Sequence, residues 1–344
     1  DPALIAFTSG TTGTAKATVH FHRDVLAICD AFPRSCLDMT ADDLVVGSPP
    51  LAFTFGLGGL LLFPMRVGAG VAFVPKPTAD TLLDTIEESR ATLCVTSPTA
   101  YRAMLKHVDE YDVSSLRACV SAGEPLPAPT YHAWREATGV EVVDGIGATE
   151  MLHIFISSPI GATVPGATGR PLPGYEAKVV DENGDEVEPG TVGLLAVRGP
   201  TGCRYLDDED RQREYVRDGW NYTGDAYLMD ADGVFYYQSR ADDMIITSGY
   251  NVSGLQVESA LLEHEAVAEC GVIGVPDEAR GHIVKAFVVL REGHEPGEAM
   301  LRALQTWVKG RIAPYKYPRA VQFLDALPRT ATGKVQRFRL REID

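Results

Sequence analysis

Short apolar runs alternate with longer amphipathic stretches through the first two thirds of the chain. Leu4–Phe7, Gly70–Val74 and Leu93–Ser97 are compact apolar runs that predict strands, while the spacing of apolar positions predicts helices over Val25–Phe32, Asp80–Ser89 and Tyr101–Val108. Strand–helix alternation is the α/β pattern, in which the loops at strand ends are available to ligands. From about Gly169 the texture changes to strands punctuated by Gly and Pro: Ala177–Val180, Gly193–Val197 and Val234–Tyr237, with a turn at Asp181–Glu186 (DENGDE). This predicts an antiparallel sheet or barrel attached to the α/β body. After Arg240–Asp243 a smaller α+β unit begins. Its pattern reads strand Met244–Thr247, helix Gln256–His264, strands Gly271–Val275 and Ala286–Leu290, helix Glu298–Lys309 and strand Ala320–Phe323. Asp242 is the expected border between a large domain, 1–241, and a small one, 242–344. No internal repeat or low-complexity tract is visible.

Composition narrows the class. A chain of 344 residues favours two domains. With 45% apolar and 23% charged residues, disorder, collagen and a disulfide-dense mini-protein are excluded. The stretch Leu51–Pro75 has Arg66 as its only charge, but its glycines, Pro64 and Arg66 predict a buried core segment, since a membrane span needs ~20 continuous apolar residues. Cys29, Cys36, Cys94, Cys119, Cys203 and Cys270 are scattered singly, without CxxC or zinc spacing, which predicts reduced thiols in a cytoplasmic protein. The formal charge, 31 − 47 = −16, argues against a general nucleic-acid binder. It is spread unevenly: Lys309–Arg341 holds nine cations and one anion, Asp325. The chain opens at Asp1, without a signal peptide or initiator Met, and is expected to be a piece lacking an N-terminal part.

The densest chemistry follows the first predicted strand. Thr8-Ser9-Gly10-Thr11-Thr12-Gly13-Thr14-Ala15-Lys16 packs two glycines, five hydroxyls and a lysine into nine residues, with no carboxylate. Glycines let backbone N–H groups approach an anion closely, and hydroxyls with a cation complete a polyphosphate cradle. The spacing GxxGxxK differs from the GxxxxGK[ST] loop. The alternative is a Ser/Thr-rich turn, although such turns seldom follow a buried strand and end in Lys.

The segment resembles the phosphate loop of the adenylate-forming superfamily, which comprises acyl- and aryl-CoA ligases, luciferases and carrier-protein adenylation domains. Further motifs agree in order and spacing: Gly147-Ala148-Thr149-Glu150 resembles GxTE, Tyr222-Thr223-Gly224-Asp225 resembles YTGD, Arg240-Ala241-Asp242-Asp243 resembles the hinge motif, and Thr332-Gly333-Lys334 resembles the terminal lysine motif. The resemblance implies the fold of that superfamily, with the front of the large domain upstream of Asp1, where it would pack on Leu51–Pro75. It implies ATP, Mg²⁺ and coenzyme A as cofactors and co-substrates.

Roles follow from matching positions. Glu150 can hold Mg²⁺ against phosphate oxygens while the Thr149 hydroxyl donates to the α-phosphate; a helix N-terminal acid is the alternative. Asp225 has two oxygens for a ribose diol, or it makes an ordinary Asx turn. Arg240 adds a donor to ribose or phosphate, or forms a surface ion pair. Gly123-Glu124-Pro125 matches the segment covering adenine, and Asp144, where relatives often have Asn, accepts from its amino group. Ile146 replaces the usual aromatic residue before the GxTE glycine, so adenine would pack on an aliphatic side chain. Asp144–Ile156 (DGIGATEMLHIFI) resembles the benzoate- and 2-aminobenzoate-CoA ligase branch. Ala15 and Ala17 replace the Pro and Gly that often flank the loop lysine, with little expected consequence.

An acyl pocket is implied from Phe53, Phe55, Gly56, Ala122, Gly145, Ile146 and His153, walls and floors that suit a flat ring. His153 is read either as a hydrogen-bonding group for the substrate or as a core histidine. Lys334 becomes the cation bridging acyl carboxylate and α-phosphate, Asp242 the hinge, and Ser248, Gly249 and Tyr250 the coenzyme A tunnel. The expected activity is an ATP-dependent aryl-CoA ligase working through aryl-AMP on benzoate or 2-aminobenzoate, in aromatic compound degradation. Carrier-protein loading and an inactive nucleotide-binding fragment are the alternatives. The implied partners are an aromatic carboxylate, ATP and CoA, without nucleic acid or membrane, and a homodimer is allowed.

Overall fold

In a computed structural model, the described residues are 1–9, 15–247, 250–329 and 335–343. They form two compact units, Asp1–Thr223 with Tyr227–Tyr237, and Gly224–Ala226 with Gln238–Asp344. Among the described residues no helix is long and apolar enough to cross a membrane.

The first unit opens with an antiparallel hairpin, β1 (Pro2–Ser9) and β2 (Ala15–Phe21), which pairs Thr8 with Lys16. The second strand was not legible as a run because its buried positions include Thr18 and His20, both 0% exposed. It passes directly into the helix His22–Ser35, whose first turn is closed by the Phe21 N–H donating to the Asp24 carboxylate at 2.8 Å.

A seven-stranded sheet follows, built from β3 (Leu44–Gly47), β4 (Gly70–Phe73), β5 (Leu93–Thr96), β6 (Ala118–Ala122), β7 (Val142–Gly147), β8 (Ile154–Ser157) and β9 (Arg170–Pro171). The order is β4-β3-β5-β6-β7-β8-β9, parallel as far as β7 and antiparallel beyond it. Parallel strands must be covered on both faces, and β5 and β6 are buried throughout. One face packs on a cluster containing Ile28, Phe32, Phe63 and Phe155. The other packs on Leu83, Tyr101 and Trp134, carried by the helices Ala79–Ser89, Pro98–Met104 and Ala128–Thr138. The middle helix starts three residues before its expected onset because Ser97 caps it, accepting from the Ala100 N–H, with Pro98 in the first turn.

The stretch Leu51–Pro75 departs from the expected buried segment. It breaks into a short helix (Thr54–Leu57), a wide π turn (Gly58–Leu62) and a second helix (Phe63–Val67) before β4. Gly56, Gly58, Leu60 and Phe63 face inward, but Leu51, Phe53, Met65 and Phe73 are exposed. The inward residues are those that the Gly58–Leu62 turn sets against Val95 and His153.

A five-stranded sheet comprises β10 (Glu176–Val180), β11 (Val192–Arg198), β12 (Val216–Arg217), β13 (Trp220–Met229) and β14 (Phe235–Arg240), ordered β10-β11-β13-β12 with β14 on β13. The turn after β10 is an Asx turn: the Asp181 carboxylate accepts from the N–H groups of Asn183 and Asp185 at 2.9 and 3.0 Å, and Gly184 has φ +91°.

The second unit is a sheet of β15 (Ile245–Thr247), β16 (Tyr250–Val252), β17 (Val267–Asp277), β18 (Gly281–Leu290) and β19 (Ala320–Phe323). The order is β16-β15-β18-β17, with β19 parallel to β18. Helices Gly254–Leu262 and Glu298–Lys309 bury Val257, Leu261, Leu304 and Val308 in its core.

Candidate functional site

In the first unit, candidate site residues gather at the C-terminal ends of the parallel strands, where the chain leaves the sheet and backbone groups are unpaired. Ala122 ends β6 and is followed by Gly123 at φ +85°, a left-handed conformation that glycine adopts freely. Glu124 accepts from the Thr99 hydroxyl at 2.7 Å, while its buried Oε1 has no hydrogen-bond partner. On the neighbouring β7, Asp144 is in register with Ser121 and Gly145 with Ala122. Burial pushes the Asp144 carboxyl up to about 7, against the opposing pull of the Ser121 hydroxyl and the Gly145 and Leu126 backbone groups. Its Oδ1 is buried without a partner. A carboxyl in that state both accepts and donates near neutrality.

The glycines of β7 make room. A Cβ on Gly145 would sit 2.9 Å from the Ile154 side chain, and one on Gly147 2.8 Å from the His153 backbone. Ile146 between them is half-buried. Beyond Gly147 the chain turns through Thr149–Met151, with Leu152 at φ +71°. Glu150 is half-buried and accepts from the Tyr205 hydroxyl at 2.9 Å.

His153 follows this turn and is 3% exposed. Phe63 meets its ring edge-on at 4.5 Å between centroids, and Phe32 and Phe55 each lie 6.0 Å away. A Cβ on Gly58 would lie 2.3 Å from His153 Cδ2. Burial pulls the imidazole down to about 4, only weakly opposed by the Phe55 backbone, so the ring is neutral at pH 7. Neither ring nitrogen makes a hydrogen bond of good geometry, the Phe55 backbone acting only weakly on the ring. Phe55 therefore joins His153, whereas Phe53 is 52% exposed and caps the Thr54–Leu57 helix. Gly56 abuts backbone, its Cβ position 2.3 Å from the Pro50 carbonyl. Phe32, Gly58 and Phe63 complete the aromatic enclosure and were missed; the Gly58-Gly59 pair inside an apolar run is the signal that marks a close approach.

The phosphate-loop residues Thr8, Ser9 and Lys16 are placed by the β1–β2 hairpin. Gly10, Thr11, Thr12 and Gly13 lie outside the described residues. In the second unit, Asp225 is 8% exposed and accepts from Arg240 Nη1 at 3.1 Å. Gly224, at φ +76°, allows this, because its Cβ would sit 2.7 Å from Arg240 Nη2. The sequence left Arg240 either a donor to ribose or phosphate or a member of a surface ion pair; the structure pairs it with Asp225. The backbone of Asp242 belongs to the short helical turn Ala241–Asp243, and its side chain lies outside what is described. Ser248, Gly249 and Lys334 also lie outside the described residues. Tyr250 is 56% exposed and stacks on Tyr315 with centroids 4.6 Å apart.

The basic C-terminal run is less available than its composition suggests. Arg311 pairs with Glu263, Arg329 with Glu269, Arg337 with Glu258 in a bidentate contact, and Arg341 with Asp243. Four of its nine cations are thus paired with carboxylates of the same unit. Among the described residues no group of three His, Cys, Asp or Glu could hold a metal ion. All six cysteines are free and buried.

A sequence model of the AMP-binding enzyme family matches residues 1–204. The chain belongs to this family. The family's C-terminal domain model matches residues 256–334. The chain is 41% identical to the benzoate–CoA ligase of Thauera aromatica over 348 residues, covering 99% of this chain and 66% of that protein. It is 38% identical to the 4-hydroxybenzoate–CoA/benzoate–CoA ligase of Rhodopseudomonas palustris, covering 100% of this chain and 65% of that protein. Among solved structures, the anthranilate CoA ligase AuaEII in complex with anthranoyl-AMP superposes with a TM-score of 0.94 at 41% identity, covering 100% of this chain and 67% of that one. A benzoate CoA ligase from Burkholderia xenovorans LB400 gives 0.90 at 38% identity, covering 99% and 68%. This AMP-binding enzyme chain thus spans about two thirds of the length of these relatives.

Proposed function

We propose that the whole protein is an ATP-dependent aryl-CoA ligase. In the first half-reaction an aromatic carboxylate oxygen attacks the α-phosphorus of ATP, giving aryl-AMP and releasing pyrophosphate. In the second, the thiol of coenzyme A attacks the acyl carbon and AMP leaves. The observation that carries the aromatic reading is His153, a neutral imidazole enclosed by Phe32, Phe55 and Phe63, with neither nitrogen in a hydrogen bond of good geometry. A planar pocket wall with one donor and one acceptor suits a ring acid bearing a polar substituent. Relatives named for benzoate and anthranilate support benzoate and 2-aminobenzoate as substrates.

In this reading Thr8, Ser9, Gly10, Thr11, Thr12, Gly13 and Lys16 bind phosphates, Asp144 and Gly123–Pro125 flank adenine, and Asp225 with Arg240 takes the ribose. Ile146 packs on the base, and Ala122, Gly145 and Gly147 form the small floor. Lys334 neutralises charge at the α-phosphate, Asp242 is the pivot between half-reactions, and Ser248, Gly249 and Tyr250 serve coenzyme A. Mg²⁺ fits the donor set: a lone hard carboxylate, Glu150, beside a nucleotide's own phosphate oxygens is the arrangement this ion prefers over an all-protein cage. When bound, the ion offsets phosphate charge; Thr149 orients the α-phosphate. The free, buried cysteines suit a cytoplasmic setting, and substrates of this class would place the enzyme in aromatic compound degradation. Pyrophosphate release measured across a panel of aromatic acids tests the proposal. Benzoate and 2-aminobenzoate should lead, with acyl-CoA formed on adding coenzyme A. Release with aliphatic acids alone would overturn it.

A further inference from the structure

Two residues without a role in the reading above converge on the Thr149–Glu150 turn from opposite sides. Tyr205 donates its hydroxyl to Glu150 Oε1 at 2.9 Å. His20 places Nε2 2.7 Å from the Thr149 carbonyl oxygen. A carbonyl only accepts, so Nε2 carries the proton and donates. The Thr18 hydroxyl, 3.2 Å from the same nitrogen, points its own proton to the Ala6 carbonyl at 3.1 Å, which confirms the direction.

Both groups sit on backbone that is itself fixed. His20 is 0% exposed within β2. The segment carrying Tyr205 is laced to the same strand. Thr18 bridges Tyr205, the Val19 N–H donates to the Arg204 carbonyl at 2.8 Å, and the Leu206 N–H donates to the Ala17 carbonyl at 2.9 Å. The Tyr205 N–H is taken by Gln212 Oε1 at 2.8 Å, and Tyr215 meets the ring edge-on at 5.8 Å. The far side of the turn is tied as well, the Thr201 hydroxyl donating to the Met151 carbonyl at 2.8 Å. One strand of the phosphate-loop hairpin thus fixes the turn through His20 and, through the Tyr205 segment, the carboxylate that follows.

We propose that Tyr205 and His20 are positioning residues that clamp the Thr149–Glu150 turn, committing one Glu150 oxygen to Tyr205 and leaving the other for a magnesium–nucleotide ligand. The proposal rests on the reading of Glu150 as the carboxylate that meets Mg²⁺. A glutamate free to rotate must surrender side-chain freedom when it binds, and one already fixed does not. Removing the hydroxyl of Tyr205 should therefore weaken binding of the magnesium complex specifically. A hydrogen bond to a charged group at a half-buried site corresponds to about a tenfold change.

The test is ATP binding by titration calorimetry in saturating Mg²⁺ and in EDTA, with thermal unfolding recorded alongside. Tyr205→Phe is expected to bind ATP about tenfold more weakly than the parent in Mg²⁺ and equally in EDTA. His20→Gln, which keeps an N–H donor at the ε position, should retain much of the affinity that His20→Leu loses. Parent-like affinity of Tyr205→Phe in Mg²⁺, or the same loss in EDTA, overturns the clamp while leaving the reading of Glu150 intact. A parent protein whose ATP affinity is indifferent to Mg²⁺ overturns that reading and the clamp with it.

Discussion

The opposite end of the sheet from the candidate site should bear stability without bearing activity, and Arg117 is where this can be measured. Asp43, just before β3, and Arg117, just before β6, lie at the N-terminal ends of their strands. The Asp43 side chain is 4% exposed and meets Arg117 in a fork, Nε to Oδ1 and Nη2 to Oδ2, both at 2.7 Å. The Thr92 hydroxyl and the Thr40 N–H complete its hydrogen bonds at 2.7 and 2.9 Å, and Arg117 Nη1 also donates to the Leu37 carbonyl at 2.7 Å. Replacing Arg117 with Met leaves a buried carboxylate without its counter-ion. Breaking a fully buried pair costs about 3–5 kcal/mol. With the arginine side chain 35% exposed and two other donors retained, the expected loss is about 2–3 kcal/mol. For a unit of this size that is about 4–12 °C in melting temperature, read by calorimetry at pH 7, with ATP affinity unchanged.

The same pair sets a pH dependence. Burial alone would raise the Asp43 pKa, but the Arg117 hydrogen bonds and charge, with those from Thr40 and Thr92, hold it below the ordinary carboxylate value. A depressed folded pKa contributes stability that is present above the unfolded value, about 3.9, and is lost as pH falls through the folded one. The melting difference between Arg117→Met and the parent should therefore narrow as pH falls, beginning above the ordinary carboxylate range, because burial without Arg117 raises the Asp43 pKa in the variant, and ending below it, where the depressed group of the parent also protonates. A loss under about 2 °C at pH 7, or a gap that widens toward acid, would refute the reasoning.

Three further outcomes are expected. Gly147→Ala drives a Cβ to 2.8 Å from the His153 backbone and should cost about 1–3 kcal/mol of stability, with a clear fall in pyrophosphate release. Asp225→Asn should weaken ATP binding about tenfold by removing a charged acceptor, measured by calorimetry. Lys334→Ala should abolish pyrophosphate release while sparing CoA transfer from preformed aryl-AMP, and equal loss in single-turnover assays of both steps would count against its assignment.

The sequence alone determined the class of the protein, because local chemistry is written locally. Apolar periodicity marks strands such as Leu93–Thr96 and helices such as Ala79–Ser89, and a motif such as YTGD is contiguous, so its members are recognisable before their partners are known. It could not show that β2 exists, since a strand burying Thr18 and His20 looks polar until Ala6, Thr149 and the Tyr205 segment are brought to it. Only tertiary structure decided which residues of Leu51–Pro75 are inside, because that depends on which of them the Gly58–Leu62 turn brings against Val95 and His153. Only tertiary structure decided that Asp225 and Arg240 form one pair, that four of the C-terminal cations are matched by carboxylates, and that His153 is neutral inside three phenylalanines. The division follows from physics: dihedral preference and burial period act over a few residues, whereas desolvation and charge pairing depend on groups that are distant in the chain and adjacent in space.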